Sequence, residues 1–208
     1  MSATASVSLH RLRASRELRA FEFGYEVITP GISLESSLAT IEWIDNWCPD
    51  AAQFVILDTP RGMSFSACRT LLDATEQSQF SDRLRFACRS AFLSEHLLVR
   101  LLVDNGIRLL LDAPMVVSLE RATERGIVGV RIGAGVVARS QSDQTHADKL
   151  RNVLASAHEL GLRSVASQLP SAANDNDLFE WGIDYVSHAT EGIRPVDPAK
   201  WMKLGKAA

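Results

Sequence analysis

Cysteine is scarce in this sequence, and long apolar runs are missing. The three cysteines, Cys48, Cys68 and Cys88, are odd in number and form no Cys-x-x-Cys pair, which favours reduced thiols over a disulfide framework. No apolar run approaches the roughly 20 residues that cross a bilayer, and residues 1–8 lack the apolar core of a signal peptide. We therefore expect a cytoplasmic protein that has no membrane partner.

Basic residues do not outnumber acidic ones, and they form no run. The 22 lysines and arginines against 25 acidic residues give a formal charge of −3. Because the basic residues are dispersed, they offer no patch that would neutralise many phosphates, and duplex nucleic acid is not an expected partner. The length of 208 residues and the hydrophobic content of 46% are typical of one globular domain with a single core.

The sequence also lacks a glycine-rich phosphate loop. Gly133-Ala134-Gly135 follows a predicted strand, but no third glycine follows at the spacing of a dinucleotide-binding motif. A plain turn explains these glycines, so they indicate no nucleotide cofactor.

The second half of the chain repeats a simple pattern of a helical stretch, a glycine and a short apolar run. A glycine just past a helix adopts the left-handed conformation at little steric cost and turns the chain into a strand. Apolar strands that alternate with amphipathic helices are typical of a parallel sheet covered by helices. The junctions are Gly106-Ile107, Gly126-Ile127, Gly161-Leu162 and Gly182-Ile183.

The first half is less regular but compatible with the same architecture. Ser33 is a typical N-cap residue and precedes apolar residues at helical spacing. Strands are predicted at 18–28, 53–57, 84–88, 107–112, 128–132, 162–167 and 183–187. An eighth strand lies near 7–12, or the sheet is open. We predict an α/β fold, a TIM-type (β/α) barrel that is lean or partly incomplete, with a doubly wound open sheet as the alternative.

Several segments occur in the order that is known from one protein family. They are LVDNGIRLLLD at 102–112, GVRIG at 129–133, HADKLRNVLASAHELGLRSVAS at 146–167, LFEWGIDYV at 178–186 and Arg194-Pro195, with AFEFGY at 20–25 in the first half. This series resembles the EAL domains, the cyclic di-GMP phosphodiesterases. The resemblance implies an EAL-like TIM-type barrel.

The resemblance also implies where the family's chemistry would lie. EAL domains hold two divalent cations between carboxylates and hydrolyse a phosphodiester on them. Glu22 matches the glutamate of the signature motif, Asp112 matches the first of two paired aspartates, and Arg131 stands where the family has a lysine. We call these three residues the relic pocket. They are too few to hold a cation pair, so we expect no metal and no catalytic residue.

The other matching positions carry substitutions. Glu26 stands where the family has an arginine that contacts phosphate, which predicts poor binding of cyclic di-GMP. At the remaining positions the family residue is replaced by another. The replacements are Ala113 for the second aspartate, Leu57 or neighbouring Asp58 for an asparagine, Arg85 for a glutamate, Gly133 for an aspartate, and Ser167 and Pro170 for the glutamates of the family's Ala-Glu-Gly-Val-Glu motif.

These substitutions predict a catalytically inactive, EAL-like regulatory protein that acts by protein–protein interaction in bacterial signalling, in motility, biofilm or transcriptional control. We expect an unidentified protein partner, a homodimer and no cofactor. The alternatives are a metal-independent cyclic di-GMP receptor that uses Arg131 and the barrel rim, and an unrecognised α/β enzyme. We place a flexible leader at 1–8, one barrel domain at 9–200 and a tail at 201–208.

Overall fold

Eight strands form a closed barrel in which each strand pairs with its neighbours in chain order. The computed structural model describes residues 8–14, 24–28, 33–48, 52–112, 115, 118–170 and 173–189. The strands are β1 (Ser8–Ala14), β2 (Gly24–Ile28), β3 (Phe54–Asp58), β4 (Leu84–Arg89), β5 (Arg108–Asp112), β6 (Ile127–Gly133), β7 (Arg163–Leu169) and β8 (Tyr185–His188). The predicted barrel is confirmed. Because the sheet closes on itself, the open and the incomplete alternatives are wrong.

Helices cover the outside of this barrel. They are α1 (Leu34–Trp47), α2 (Phe65–Gln77), α3 (His96–Asp104), α4 (Leu119–Glu124), α5 (Ala134–Ser142), α6 (Gln144–Glu159) and α7 (Asp175–Glu180), and a short 3₁₀ helix spans Ser90–Ser94. Ser33 caps α1 as expected, since its hydroxyl accepts a hydrogen bond from the backbone N–H of Ser36 at 3.1 Å. No described helix combines the length and apolarity needed to span a bilayer.

The first strand runs against all the others. β1 pairs antiparallel with β2 and with β8, whereas β2 to β8 pair in parallel. The expected strand near 7–12 is thus confirmed, but the expectation of a wholly parallel sheet is wrong. β1 begins at Ser8, inside the predicted leader, whose residues 1–7 lie outside the described residues. Residues 18–23 of the strand predicted at 18–28, and the predicted tail at 201–208, also lie outside them.

The predicted glycine junctions are confirmed. Gly106, Gly126, Gly161 and Gly182 follow α3, α4, α6 and α7, and all have positive φ angles, between 72° and 95°. After Gly106, Gly161 and Gly182 the N–H of the next residue bonds back to a carbonyl in the preceding helix, as from Ile107 to Leu102 at 3.0 Å. The junctions therefore start β5, β6, β7 and β8 close to the ends of the preceding helices.

Three layers of side chains fill the inside of the barrel. Alternate residues along a strand point inward, and the middle layer is apolar, with Leu12, Ile56, Ala87, Leu110, Val165 and Tyr185 in contact. We call the end at which β2 to β8 finish the mouth, and the end at which they begin the base. Both outer layers contain charged residues, with carboxylates at the mouth and arginines at the base.

Candidate functional site

The mouth contains one guanidinium group surrounded by three carboxylates. Nε and Nη2 of Arg131 donate hydrogen bonds to Oδ1 and Oδ2 of Asp112 at 2.6 and 2.8 Å. Nη1 donates to Oε1 of Glu26 at 3.1 Å, and Nη2 also donates to Oδ1 of Asp58. We call these four residues the arginine cluster. Its Arg131–Asp112 pair has the bidentate geometry that makes such ion pairs strong and directional.

The barrel topology brings these four residues together. Glu26, Asp58, Asp112 and Arg131 lie on β2, β3, β5 and β6, near the mouth end of each strand. Asp112 is directly opposite Arg131 in the pairing of β5 with β6. Glu26 and Asp58 are 105 and 73 positions from Arg131 in the chain, so only closure of the barrel makes them neighbours.

Burial makes the arginine cluster electrostatically strong. The Arg131 side chain is 11% exposed, and those of Glu26, Asp58 and Asp112 are 0%, 15% and 24% exposed. Burial alone would lower the pKa of Arg131, but the hydrogen bonds to Asp112 and the negative charges of Asp58, Asp112 and Glu26 outweigh it and raise that pKa. Arg131 is therefore a permanent cation inside the mouth.

Glu26 is fully buried, and three side chains compensate its charge. Besides the bond from Arg131, its Oε1 accepts a hydrogen bond from the Ser167 hydroxyl, and its Oε2 accepts one from the Ser187 hydroxyl at 2.7 Å. A carboxylate that has lost its water needs such donors, because an unpaired buried charge is costly. Ser167 and Ser187 thus hold Glu26 towards Arg131.

The structure brings part of the relic pocket together. Asp112 and Arg131 are in direct contact, while Glu22 lies outside the described residues. Glu26 and Asp58 also take part in the cluster. The resemblance had matched Glu26 to a phosphate-contacting arginine, and Asp58 only as a neighbour of Leu57. The signal that was missed is the alternation along GYEVI, which turns Glu26 inward with Gly24 and Ile28.

The arginines of β4 occupy opposite ends of the barrel. Arg85, which the resemblance matched to a metal-binding glutamate, lies at the base, opposite Arg108 of β5. Arg89 is directly opposite Asp112 in the register of β4 with β5, and it lines the mouth. The resemblance matched Arg85 to a group of the mouth, whereas the structure places it at the base.

A cavity of about 640 Å³ opens above the arginine cluster. Its lining includes Arg89 and the start of α5, where the N-cap Gly133 provides no side-chain hydrogen bond. Gln168 also lines it and has a φ of 58°, a left-handed conformation that is uncommon for residues other than glycine. The family motif Ala-Glu-Gly-Val-Glu has its glycine at this position, so the backbone keeps the glycine conformation with a glutamine side chain.

The residues at the mouth do not fit a divalent cation pair. The described residues contain no group of three or more histidine, cysteine, aspartate or glutamate side chains arranged to hold a metal ion. Glu26, Asp58 and Asp112 direct oxygen atoms at Arg131 instead, and a guanidinium cannot ligate a metal. In this arrangement the three carboxylates share one internal cation, the guanidinium of Arg131.

No family model matches the sequence, and no curated protein matches it either. Solved structures do match. They include a standalone EAL protein from Vibrio cholerae O395 in its c-di-GMP bound form (TM-score 0.71, 14% identity, 91% of each chain covered). They also include the EAL domain of Mycobacterium smegmatis DcpA (TM-score 0.69, 14% identity, 96% of this chain and 98% of that one covered).

A third match is Klebsiella pneumoniae BlrP1 in a manganese and cy-diGMP complex, with a TM-score of 0.72 and 15% identity. The match covers 91% of this chain and 56% of that one. At such low identity these matches establish the fold. The predicted EAL-like TIM-type barrel is confirmed.

Proposed function

We propose that this protein is a catalytically inactive, EAL-like regulatory protein that acts by binding another protein in cyclic di-GMP signalling. The arginine cluster is the observation that carries the proposal. Glu26, Asp58 and Asp112 are acidic groups at the mouth, and all three contact Arg131. The signalling context rests on the fold that this chain shares with proteins solved as cyclic di-GMP complexes.

Two-metal hydrolysis and the arginine cluster exclude each other. The reaction needs carboxylate oxygens that are free to coordinate cations, which then polarise the phosphate and activate water. Arg131 uses those oxygens, and it cannot diffuse away because it is part of β6. Its fixed positive charge competes with a divalent cation for the same carboxylates. We therefore expect no turnover with any divalent metal.

The surface beside the mouth supports binding to another protein. Phe65 and Leu97 are 56% and 78% exposed, and they lie at the starts of α2 and α3. These two helices contact each other, and their first residues are on the mouth side of the barrel. Large exposed apolar side chains on neighbouring helices are typical anchors of protein interfaces. We call Phe65 and Leu97 the rim anchors, and a second copy of this chain is one partner they would accept.

A pocket of about 420 Å³ lies on the same side of the barrel. Its lining includes Pro60, Met63 and Phe92 from the connections that follow β3 and β4, together with Arg89. An apolar side chain of a partner would fit there, and Arg89 would pair with a neighbouring carboxylate of that partner. The pocket and the rim anchors together form the surface that we assign to the partner.

A metal-independent receptor for cyclic di-GMP is the second candidate. The mouth cavity favours it, because the cavity is large and contains Arg89 and the uncapped start of α5. Both features attract phosphate groups. The cluster itself opposes it, since its three carboxylates outnumber its one guanidinium.

Titration and turnover of cyclic di-GMP separate these functions. The purified protein is incubated with the dinucleotide and Mn²⁺ or Mg²⁺, and separately titrated in a calorimeter with a chelator present. The regulatory protein gives no linear product and no saturable heat. Saturable binding without turnover indicates the receptor, and turnover that requires metal contradicts both.

Partner capture tests the rim anchors. We expect Leu97→Glu to abolish capture of a stoichiometric partner from the native cell, or self-association in sedimentation velocity. Val128→Glu is the matched control, because Val128 is the other large hydrophobic residue among those described that is exposed, at 39%, and it lies towards the base. Equal loss in the two variants would contradict the assigned surface.

A further inference from the structure

The base of the barrel contains a second charged pocket. It is positively charged, whereas the arginine cluster has three carboxylates and one guanidinium. Its volume is about 360 Å³, and its lining includes Arg85, Arg108 and Arg163. They lie near the starts of β4, β5 and β7, so the same alternation that turns Asp112 and Arg131 inward at the mouth turns these arginines inward at the base. We call this the base pocket.

None of the described residues that line the base pocket is acidic. Arg85 donates through Nη1 to the backbone carbonyls of Asp82 and Leu84, both at 3.0 Å. Nη1 of Arg163 donates a hydrogen bond to Oδ1 of Asp184 at 3.4 Å in an ion pair, and Asp184 lies outside the lining. The charge of the arginines is therefore only partly balanced by the part of the chain that the structure describes.

The positions of Arg85 and Arg108 are electrostatically unfavourable without a counterion. Burial and, next, the positive charge of Arg108 lower the pKa of Arg85 to about 10, against a smaller opposing effect of Asp82. Like charges that face one cavity repel, and an anion bound between them would remove that repulsion. This arrangement is typical of a site that recognises an anion.

The other walls of the base pocket are apolar and aromatic. Phe54 and Tyr185 pack edge to face with ring centroids 5.1 Å apart, and Leu110 and Val128 complete that side. Arg85 and Arg108 line the same cavity as these rings. The pocket thus combines guanidinium donors for an anionic group with an apolar, partly aromatic wall that a ring can contact.

We propose that the base pocket binds a small organic phosphate that carries a planar ring. The phosphate lies between Arg85, Arg108 and Arg163, and the ring lies against Phe54 and Tyr185. Arginine is suited to this role because its planar donors match two phosphate oxygens at once. In TIM-type barrels the reaction site lies at the mouth, and the base serves stability, so this site is independent of the function proposed for the mouth.

Calorimetric titration with phenyl phosphate and with inorganic phosphate, at low ionic strength, tests the proposal. We expect saturable binding of phenyl phosphate, tighter than that of inorganic phosphate because only the former uses the aromatic wall. Arg108→Gln removes one exposed guanidinium and should weaken binding about ten-fold or more, the effect of losing a charge-assisted hydrogen bond. Arg69→Gln on the outside of α2 changes the net charge equally and should leave binding unchanged.

Three results would overturn the proposal. The first is the absence of saturable heat with either compound. The second is equal weakening by Arg108→Gln and Arg69→Gln, which would indicate a general charge effect. The third is loss of binding in Arg89→Gln but not in Arg108→Gln, which would place the anion at the mouth.

The chain between β1 and β2 contains Glu17 and Glu22, outside the described residues. β1 ends and β2 begins at the base, so removing these two carboxylates tests whether the arginines serve the chain's own acidic groups. If the native chain binds no phosphate and Glu17→Gln with Glu22→Gln creates binding, the arginines serve the chain itself and the proposal is wrong.

Discussion

Replacing Arg131 by methionine tests the interpretation of the mouth most directly. Methionine fills a similar volume but carries no charge, so Arg131→Met leaves Glu26, Asp58 and Asp112 without the cation that all three contact. Glu26 suffers most because it is 0% exposed and retains only the hydroxyl donors of Ser167 and Ser187.

The expected loss of stability is large. Removing one partner of a buried ion pair costs about 3–5 kcal/mol, because the remaining charge is left uncompensated. For a chain of this size, a loss of that order lowers the melting temperature by about 6–20 °C. The measurement is thermal and urea denaturation of both proteins at neutral pH. Arg100→Met is the matched control, since Arg100 is 80% exposed and its pairing with Asp104 within α3 is worth only about 0.5 kcal/mol.

Adding a divalent cation distinguishes loss of a cation from loss of a side chain. In Arg131→Met the three carboxylates regain free oxygens, so Mn²⁺ or Mg²⁺ should stabilise the variant but not the native protein. If the cation binds with a dissociation constant of about 0.1 mM, a concentration of about 10 mM restores roughly 2.7 kcal/mol. Monovalent salt at equal ionic strength controls for screening.

Two results would refute the reasoning. A loss below about 1 kcal/mol in Arg131→Met would show that the contacts of Arg131 are those of an ordinary surface pair. Equal stabilisation of the native protein and the variant by Mn²⁺ would show that the cation binds elsewhere.

Three further predictions concern backbone strain and thiol burial. Gln168→Gly should raise the free energy of unfolding by up to about 1 kcal/mol in urea, because glycine relieves the positive φ; a loss would contradict this. Gly126→Ala should destabilise the protein by about 1–2 kcal/mol more than Gly106→Ala. Both glycines have φ of 84°, but only at Gly126 would the new Cβ meet another side chain, Val103 Cγ1, at 2.4 Å. Equal losses in the two variants would contradict this reason. Burial, with the charge of Asp112, raises the pKa of Cys88 to about 12, so a thiol reagent at pH 8 should modify Cys88 only as the protein unfolds, and rapid labelling of the native protein would contradict it.

Local signals made much of the fold predictable. The glycine junctions of the second half depend on backbone chemistry within a few residues, and the sequence shows them directly. The direction of β1 left no such signal, because a strand has the same alternation whichever way it runs. Closure of the barrel was equally hidden, since it rests on pairing between β1 and β8, at opposite ends of the described chain.

The candidate site was less predictable because its residues are distant in sequence. The resemblance assigned Asp112 and Arg131 to one pocket, and the structure places them opposite each other on neighbouring strands. It displaced Arg85 from the base to the mouth, and it did not reveal that Glu26 and Asp58 both contact Arg131. Comparing one strand at a time with a family motif cannot detect such a cluster. Its contacts form only when β2, β3, β5 and β6 are aligned with one another in the folded barrel.

The antiparallel first strand also has a consequence for how the barrel opens. β1 shares five register pairs with β2 but only two with β8, Arg13 with Val186 and Ala14 with Tyr185. The pairing of β1 with β8 joins segments far apart in the chain. The entropic cost of closing the loop between them is therefore the highest of any strand pair in the barrel. We therefore expect β1 and β8 to pair last during folding and to separate first in local opening of the native barrel. Amide protons at this pairing should exchange with solvent before those of the parallel strands β3 to β7.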